Sequence, residues 1–143
     1  MKITSSVFND HELIPKKYTC DAENINPPLD FDEFPEETQQ LALIVDDPDA
    51  RAETWVHWVI YNMPVISHID ENSAPGTQGP NDRGNKNYSG PCPPSGKHRY
   101  YFKLYALNSK KVLKEGLNKL QLEAAMKGHI LEKAELVGLY SRN

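Results

Sequence analysis

Short runs of β-type residues recur along the chain with turn residues between them, and only one segment near the end has helical periodicity. That pattern points to a β-sandwich. Leu41-Ala42-Leu43-Ile44-Val45 is apolar on both faces and leads into Asp46-Asp47-Pro48-Asp49, so it reads as a buried strand broken by a turn, because Pro48 cannot extend a ladder. In Trp55 to Asn62 the two-residue period puts Trp55, His57, Val59 and Tyr61 on one face. The run His98 to Leu107 does the same for His98, Tyr100, Phe102 and Leu104. Asn118, with Gln121 three residues on, is an N-cap signature opening a helix over Lys119 to Lys127, which Gly128 closes. Ala134 to Tyr140 reads as a last strand. Pro64 to Lys97 has almost no hydrophobic period and holds six of the 11 prolines and five of the eight glycines, which predicts a long, stiff connection of the kind that carries function.

A length of 143 residues suits one domain, residues 1–143, with one core. The formal charge of -4 offers no general attraction to phosphate backbones or acidic membrane surfaces, so nucleic acid is not an expected partner. No apolar run is long enough to cross a bilayer, and the opening residues lack the continuous apolar stretch of a secretion signal. The two cysteines, Cys20 and Cys92, lie far apart, which fits a reducing compartment better than a disulfide scaffold while leaving a bridge between them open. A cytoplasmic location is the resulting expectation.

Asp47 shares parity with Leu41, Leu43 and Val45, which places a carboxylate in register with core side chains at a strand end. A charge there is costly unless a cation or hydrogen-bond donors satisfy it, and a histidine can serve. Asp46 and Asp49 are read as ordinary turn acids. His98 and Tyr100 project side by side just after the proline-rich connection. With His57 they form a set of donors suited to an oxyanion. His11, His68 and His129 lack such company. In Gly90-Pro91-Cys92-Pro93-Pro94-Ser95-Gly96, prolines set the path while glycines permit close approach, a composition suited to a rigid rim.

Together these pieces resemble the phosphatidylethanolamine-binding protein family, and within it the bacterial branch related to the Raf kinase inhibitor protein. The resemblance is carried by Asp47-Pro48-Asp49-Ala50, by the Trp55 to Asn62 strand, and by Tyr88-Ser89-Gly90-Pro91-Cys92-Pro93-Pro94 running into His98-Arg99-Tyr100. Lys17 to Asp21, Asn26 to Leu29, Gly128 to Ile130 and Ala134 to Gly138 extend it in order over nearly the whole chain. It implies a mainly β fold, a large antiparallel sheet packed on a smaller one with one or two short helices. It also implies a small pocket for phosphate-like or carboxylate anions, with Asp47, His57, His98 and Tyr100 at its centre, Trp55 beside them, and Gly90 and Pro93 on the rim. Neither a cofactor, a metal nor a catalytic reaction is implied, and a homodimer is.

Two departures bear on the pocket. Relatives often have a proline after the acidic turn where this chain has Arg51 after Ala50, and Asp82-Arg83-Gly84 stands where an aromatic and an extra glycine are common. Arg51 and Arg83 could add attraction for an anion, with surface salt-bridging as the simpler expectation. The leading function is therefore binding of a small anion such as a phosphate head group in a regulatory setting. The alternatives are a module that inhibits a kinase or protease through the loop rim and, less favoured, an enzyme. The enzyme would use Cys92 as nucleophile with His98 as base, or Asp47, Asp49, His57 and His98 as metal ligands.

Overall fold

The computed structural model describes residues 1–142. Its strands are β1 (Lys2–Thr4), β2 (Glu12–Leu13), β3 (Leu29–Asp32), β4 (Gln40–Asp47), β5 (Trp55–Met63), β6 (His68–Ile69), β7 (Thr77–Gly79), β8 (His98–Leu107) and β9 (Ile130–Tyr140), with one helix, α1 (Lys119–Met126), before the last. A six-stranded sheet runs β2-β9-β8-β4-β5-β7 and a three-stranded sheet runs β1-β3-β6. The fold is mainly β, as expected from the recurring short runs. All pairings are antiparallel except β2 with β9, a two-residue parallel edge.

Strand β4 is central to the large sheet, and every one of its residues is buried. The reason lies in its composition, since alternate residues serve two cores, one on each face of the large sheet, where chain length alone had led to an expectation of one. Leu41, Leu43 and Val45 pack with Trp58, Phe102 and Leu104 against Ile3, Leu29, Phe31 and Ile69 of the small sheet. On the opposite face Ala42 and Ile44 join Val59, Tyr61 and Tyr105, and Leu122 and Met126 of α1 cover them. A strand polar on either side would leave one of these layers unfilled.

The helix starts where its cap requires. The Asn118 side chain accepts a hydrogen bond from the Gln121 backbone N–H, and the Gln121 side chain accepts one from the Asn118 N–H. Gly128 adopts φ 84° just beyond the end, a conformation that favours glycine. Because the cap satisfies an otherwise orphaned donor, Asn118→Ala is expected to lower the unfolding free energy by about 1 kcal/mol, read from urea denaturation. An unchanged midpoint would show that core packing alone sets the helix start.

Three sequence expectations need correction. The stretch from Pro64 to Lys97 is not wholly irregular, for β6 joins the small sheet and β7 forms an edge of the large one. Segments of two and three residues are too short to show a period. Strand β9 begins at Ile130 rather than Ala134, because its first half is half-exposed and charged and carries little apolar signal. Finally, Trp55, His57, Val59 and Tyr61 do not share one face. Val45 pairs with Trp58 while Asp46 pairs with Val56, so His57 is the extra residue of a β-bulge. Val59 and Tyr61 face the helix side, whereas His57 meets Tyr100 edge-on at 5.2 Å between ring centroids.

Candidate anion-binding site

The adjacent carboxylates of β4 meet opposite fates because a strand alternates its faces. Asp46 points toward the helix side and is 1 % exposed, and its Oδ2 accepts from Lys103 Nζ at 3.0 Å and Lys119 Nζ at 2.7 Å. It is a buried ion-pair centre rather than the turn acid expected from sequence. Asp47 points the other way. Its Oδ1 accepts from the Asp49 N–H at 2.8 Å, closing the turn, and its Oδ2 accepts from His98 Nδ1 at 2.7 Å. The turn role and the histidine pairing are thus realised together in one side chain.

The turn is also tied to β8. Arg99 donates from Nε and Nη2 to the two Asp49 oxygens at 2.9 and 2.8 Å, and the guanidinium holds the Asp49 carboxyl below the usual carboxylate range. Asp49 is therefore committed to Arg99 and does not join Asp47, His57 and His98 as a ligand set. Among the described residues no three His, Cys, Asp or Glu side chains converge as metal ligands.

His57 and His98 each use Nδ1 for the protein, which leaves Nε2 for a guest. His57 Nδ1–H donates to the Ser89 carbonyl at 2.6 Å. Burial pushes the His57 pKa down, against the pull of the Ser89 hydrogen bond and the Asp47 charge, and the Arg83 charge pushes the same way as burial. In its neutral form this ring offers an acceptor at Nε2, not the donor expected from sequence. Tyr100 lies between the rings, edge-on to His57 and stacked with His98 at 6.4 Å. Burial raises its pKa, so the phenol stays protonated, and its hydroxyl is buried without a hydrogen-bond partner among the described residues. A buried donor left unused is costly, and a ligand acceptor would relieve it.

A lowered His57 pKa has a definite sign for stability. The unfolded ring gains a proton as pH falls below about 6.5 while the folded one resists, so the stabilising contribution is present above that pH and is lost as pH falls toward the folded value. Wild type in phosphate-free buffer is expected to lose more stability between pH 7.5 and 5 than His57→Gln does, measured by urea unfolding. Parallel pH dependences would contradict the assignment of a neutral buried ring.

Asp47, Trp55, His57, Pro93, His98 and Tyr100 line one cavity of about 240 Å³, joined by Ala50, Arg51, Arg83, Cys92 and Pro94. Six of the seven residues singled out from sequence converge there. Gly90 does not touch the cavity but stands behind its wall. Its N–H donates to Asn24 Oδ1 at 2.7 Å, and a Cβ at this position would lie 2.4 Å from the Tyr18 carbonyl oxygen. Only glycine fits so close an approach. The Tyr88 hydroxyl donates to that same carbonyl, and the Cys20 N–H donates to Pro91 O, so residues 88–92 are strapped to the segment near residue 20.

Cys20 and Cys92 form a disulfide across that strap. The bridge settles a pairing that the sequence left open, and it removes the ground on which a reducing compartment was expected. The model of the phosphatidylethanolamine-binding protein family matches residues 4–141. The chain belongs to this family. It is 49 % identical to a UPF0098 protein of Methanothermobacter thermautotrophicus, with 99 % of each chain covered, and 45 % identical to one of Chlamydia muridarum over the full length of both. Among solved structures, a phosphatidylethanolamine-binding protein homolog of Chlamydia trachomatis, CT736, superposes with a TM-score of 0.95 at 43 % identity, covering 99 % of this chain and 97 % of that one. YbcL of E. coli superposes at 0.91 with 25 % identity, covering 99 % and 98 %.

Family membership accounts for the two-sheet architecture. The Ala50–Arg51 peptide is trans like every other described peptide bond. Surface salt-bridging, the simpler of the two expectations for Arg51 and Arg83, is not observed, for neither side chain has an ion-pair or hydrogen-bond partner among the described residues. The signal that could have placed them at the mouth is their position in the two segments flanking the cavity, the β4–β5 turn and the proline-rich connection. No described helix is long and apolar enough to cross a membrane.

Proposed function

We propose that the chain binds a small oxyanion in the cavity between Asp47, His57, His98 and Tyr100. The observation that carries this is the Tyr100 hydroxyl, a buried and protonated donor with no acceptor among the described residues, set in a cavity that also holds His98 with its ring oriented by Asp47. An acceptor oxygen of the ligand would complete the phenol, and His98 would donate to a second from Nε2 in the form that carries both ring protons, its Nδ1–H being held by Asp47. The volume of about 240 Å³ lies below the range of roughly 300–1,000 Å³ typical of drug-sized ligands, so a head group fits and a large ligand does not. Binding rather than catalysis is supported by Cys92, whose sulfur is held in the bridge to Cys20 and so is not a free nucleophile.

Calorimetric titration of inorganic phosphate into wild type, His98→Ala and Tyr100→Phe tests this. Loss of a hydrogen bond to a charged oxygen is expected to weaken binding about tenfold or more in each variant. Unchanged affinity in both, with melting curves showing intact folding, would remove the proposed site.

A further inference from the structure

We propose that the cavity prefers doubly charged anions, a phosphomonoester group above all, over singly charged ones such as a phosphodiester or carboxylate, because Arg51 and Arg83 set at its mouth two guanidiniums that have no partner among the described residues. This rests on the preceding assignment of the cavity as an anion site.

The charge balance makes the arginines necessary. Asp47 brings a carboxylate into the cavity, and its hydrogen-bonded partner His98 at most neutralises it. His57 resists protonation because it is buried. Without the arginines the lining would be neutral or negative, a poor host for any anion. With them, two guanidiniums stand against one carboxylate, and the excess is positive whatever the state of His98. A singly charged ligand uses one of these cations. A doubly charged ligand uses both.

Unpaired surface arginines are ordinary in themselves, so their circumstances matter. Other basic side chains near acids are taken, Lys17 by Glu71, Arg99 by Asp49, Arg142 by Asp21, and Lys103 and Lys119 by Asp46. Acidic residues stand close in sequence to both cavity arginines, yet they are engaged or turned elsewhere. Asp82, next to Arg83, accepts from the Val56 N–H at 2.7 Å, and Glu53, two residues from Arg51, lines a different cavity beside Lys119. Positions 32 residues apart in the chain thus bring to one small opening two cations that are unpaired among the described residues.

Guanidinium geometry then favours phosphate in its monoester form. Each fork can donate two parallel hydrogen bonds to a pair of terminal oxygens. A phosphomonoester has three terminal oxygens and a charge of about -1.5 to -2 at neutral pH. These suffice for two forks and the Tyr100 hydroxyl at once. A phosphodiester has two terminal oxygens and a single charge, so it leaves part of this donor set unused. Trp55, 38 % exposed at the cavity wall, would flank the ester substituent as it leaves toward solvent.

The test compares methyl phosphate with dimethyl phosphate by calorimetry at pH 7.5, using wild type, the double variant Arg51→Gln/Arg83→Gln, His98→Ala and Tyr100→Phe. Wild type should bind the monoester about tenfold more tightly or better, since hydrogen bonds to charged groups carry that scale. The double variant should bring the ratio close to one, mainly by weakening the monoester. A wild-type ratio near one, or a ratio unchanged in the double variant, overturns the preference while esters that still depend on His98 leave the anion site standing. Absence of binding by either ester, or binding indifferent to His98→Ala and to Tyr100→Phe, overturns the anion site and the preference with it.

Discussion

Replacing both Cys20 and Cys92 by serine is expected to lower the unfolding free energy by about 4 kcal/mol, because the bridge closes a loop across a sequence separation of 72 residues. The estimate follows from chain entropy, since an open unfolded chain samples conformations that a closed loop forbids. For comparison, a domain of this kind has a total stability of roughly 5–15 kcal/mol, so the loss would consume a large share of it. Urea denaturation of wild type with and without a thiol reductant, beside the double serine variant, gives the measurement. Reduced wild type and the variant should unfold at the same, lower urea concentration. Coincident midpoints for all three would mean that the bridge adds nothing to stability.

The same variant should keep most of its phosphate affinity when assayed well below its melting temperature. Cys92 lines the cavity, but the rim has three other ties to the segment near residue 20, namely Tyr88 Oη to Tyr18 O at 2.8 Å, Gly90 N–H to Asn24 Oδ1 at 2.7 Å, and Cys20 N–H to Pro91 O at 3.1 Å. Three native hydrogen bonds in a packed setting are enough to hold a short proline-rich peptide on its path. Stability and binding should therefore separate.

A second large effect is expected at Trp58, where truncation to alanine should cost about 3–5 kcal/mol. The side chain is fully buried, beside the bulge at His57. Its Nε1–H donates to Gln78 Oε1 at 2.7 Å, and its ring meets Tyr88 edge-on at 5.6 Å. Removing the indole opens a cavity and frees Tyr88, whose hydroxyl ties the rim to Tyr18. Unlike the cysteine variant, Trp58→Ala should thus lose stability and phosphate affinity together. Trp58→Phe, which keeps ring packing and gives up the hydrogen bond, should recover most of both. If Trp58→Ala were to unfold at the wild-type urea concentration, the assignment of this residue to the central core would be untenable.

Much of the site was legible because it lies on long strands. Leu41, Leu43 and Val45 forecast the face of Asp47, and Tyr100 and Phe102 forecast that of His98, since Cβ atoms alternate along an extended chain. The helix was legible for a different local reason, the exchange of hydrogen bonds between Asn118 and Gln121. His57 was found with the wrong neighbours. A bulge costs one residue of register and has no signature in the alternation itself, so Val59 and Tyr61 were expected beside a ring that in fact faces Tyr100.

The sequence by itself determined the faces of β4 and β8 and the helix cap, because each depends on residues within a few positions of one another and on fixed backbone periods. Only the tertiary structure decided that Cys20 meets Cys92 at a Cα separation of 5.5 Å, that Asp46 turns to Lys103 and Lys119, and that Arg51 and Arg83 share one cavity mouth. These meetings depend on the course of whole loops. That course is set by packing summed over the entire chain, a quantity that no local pattern of residues contains.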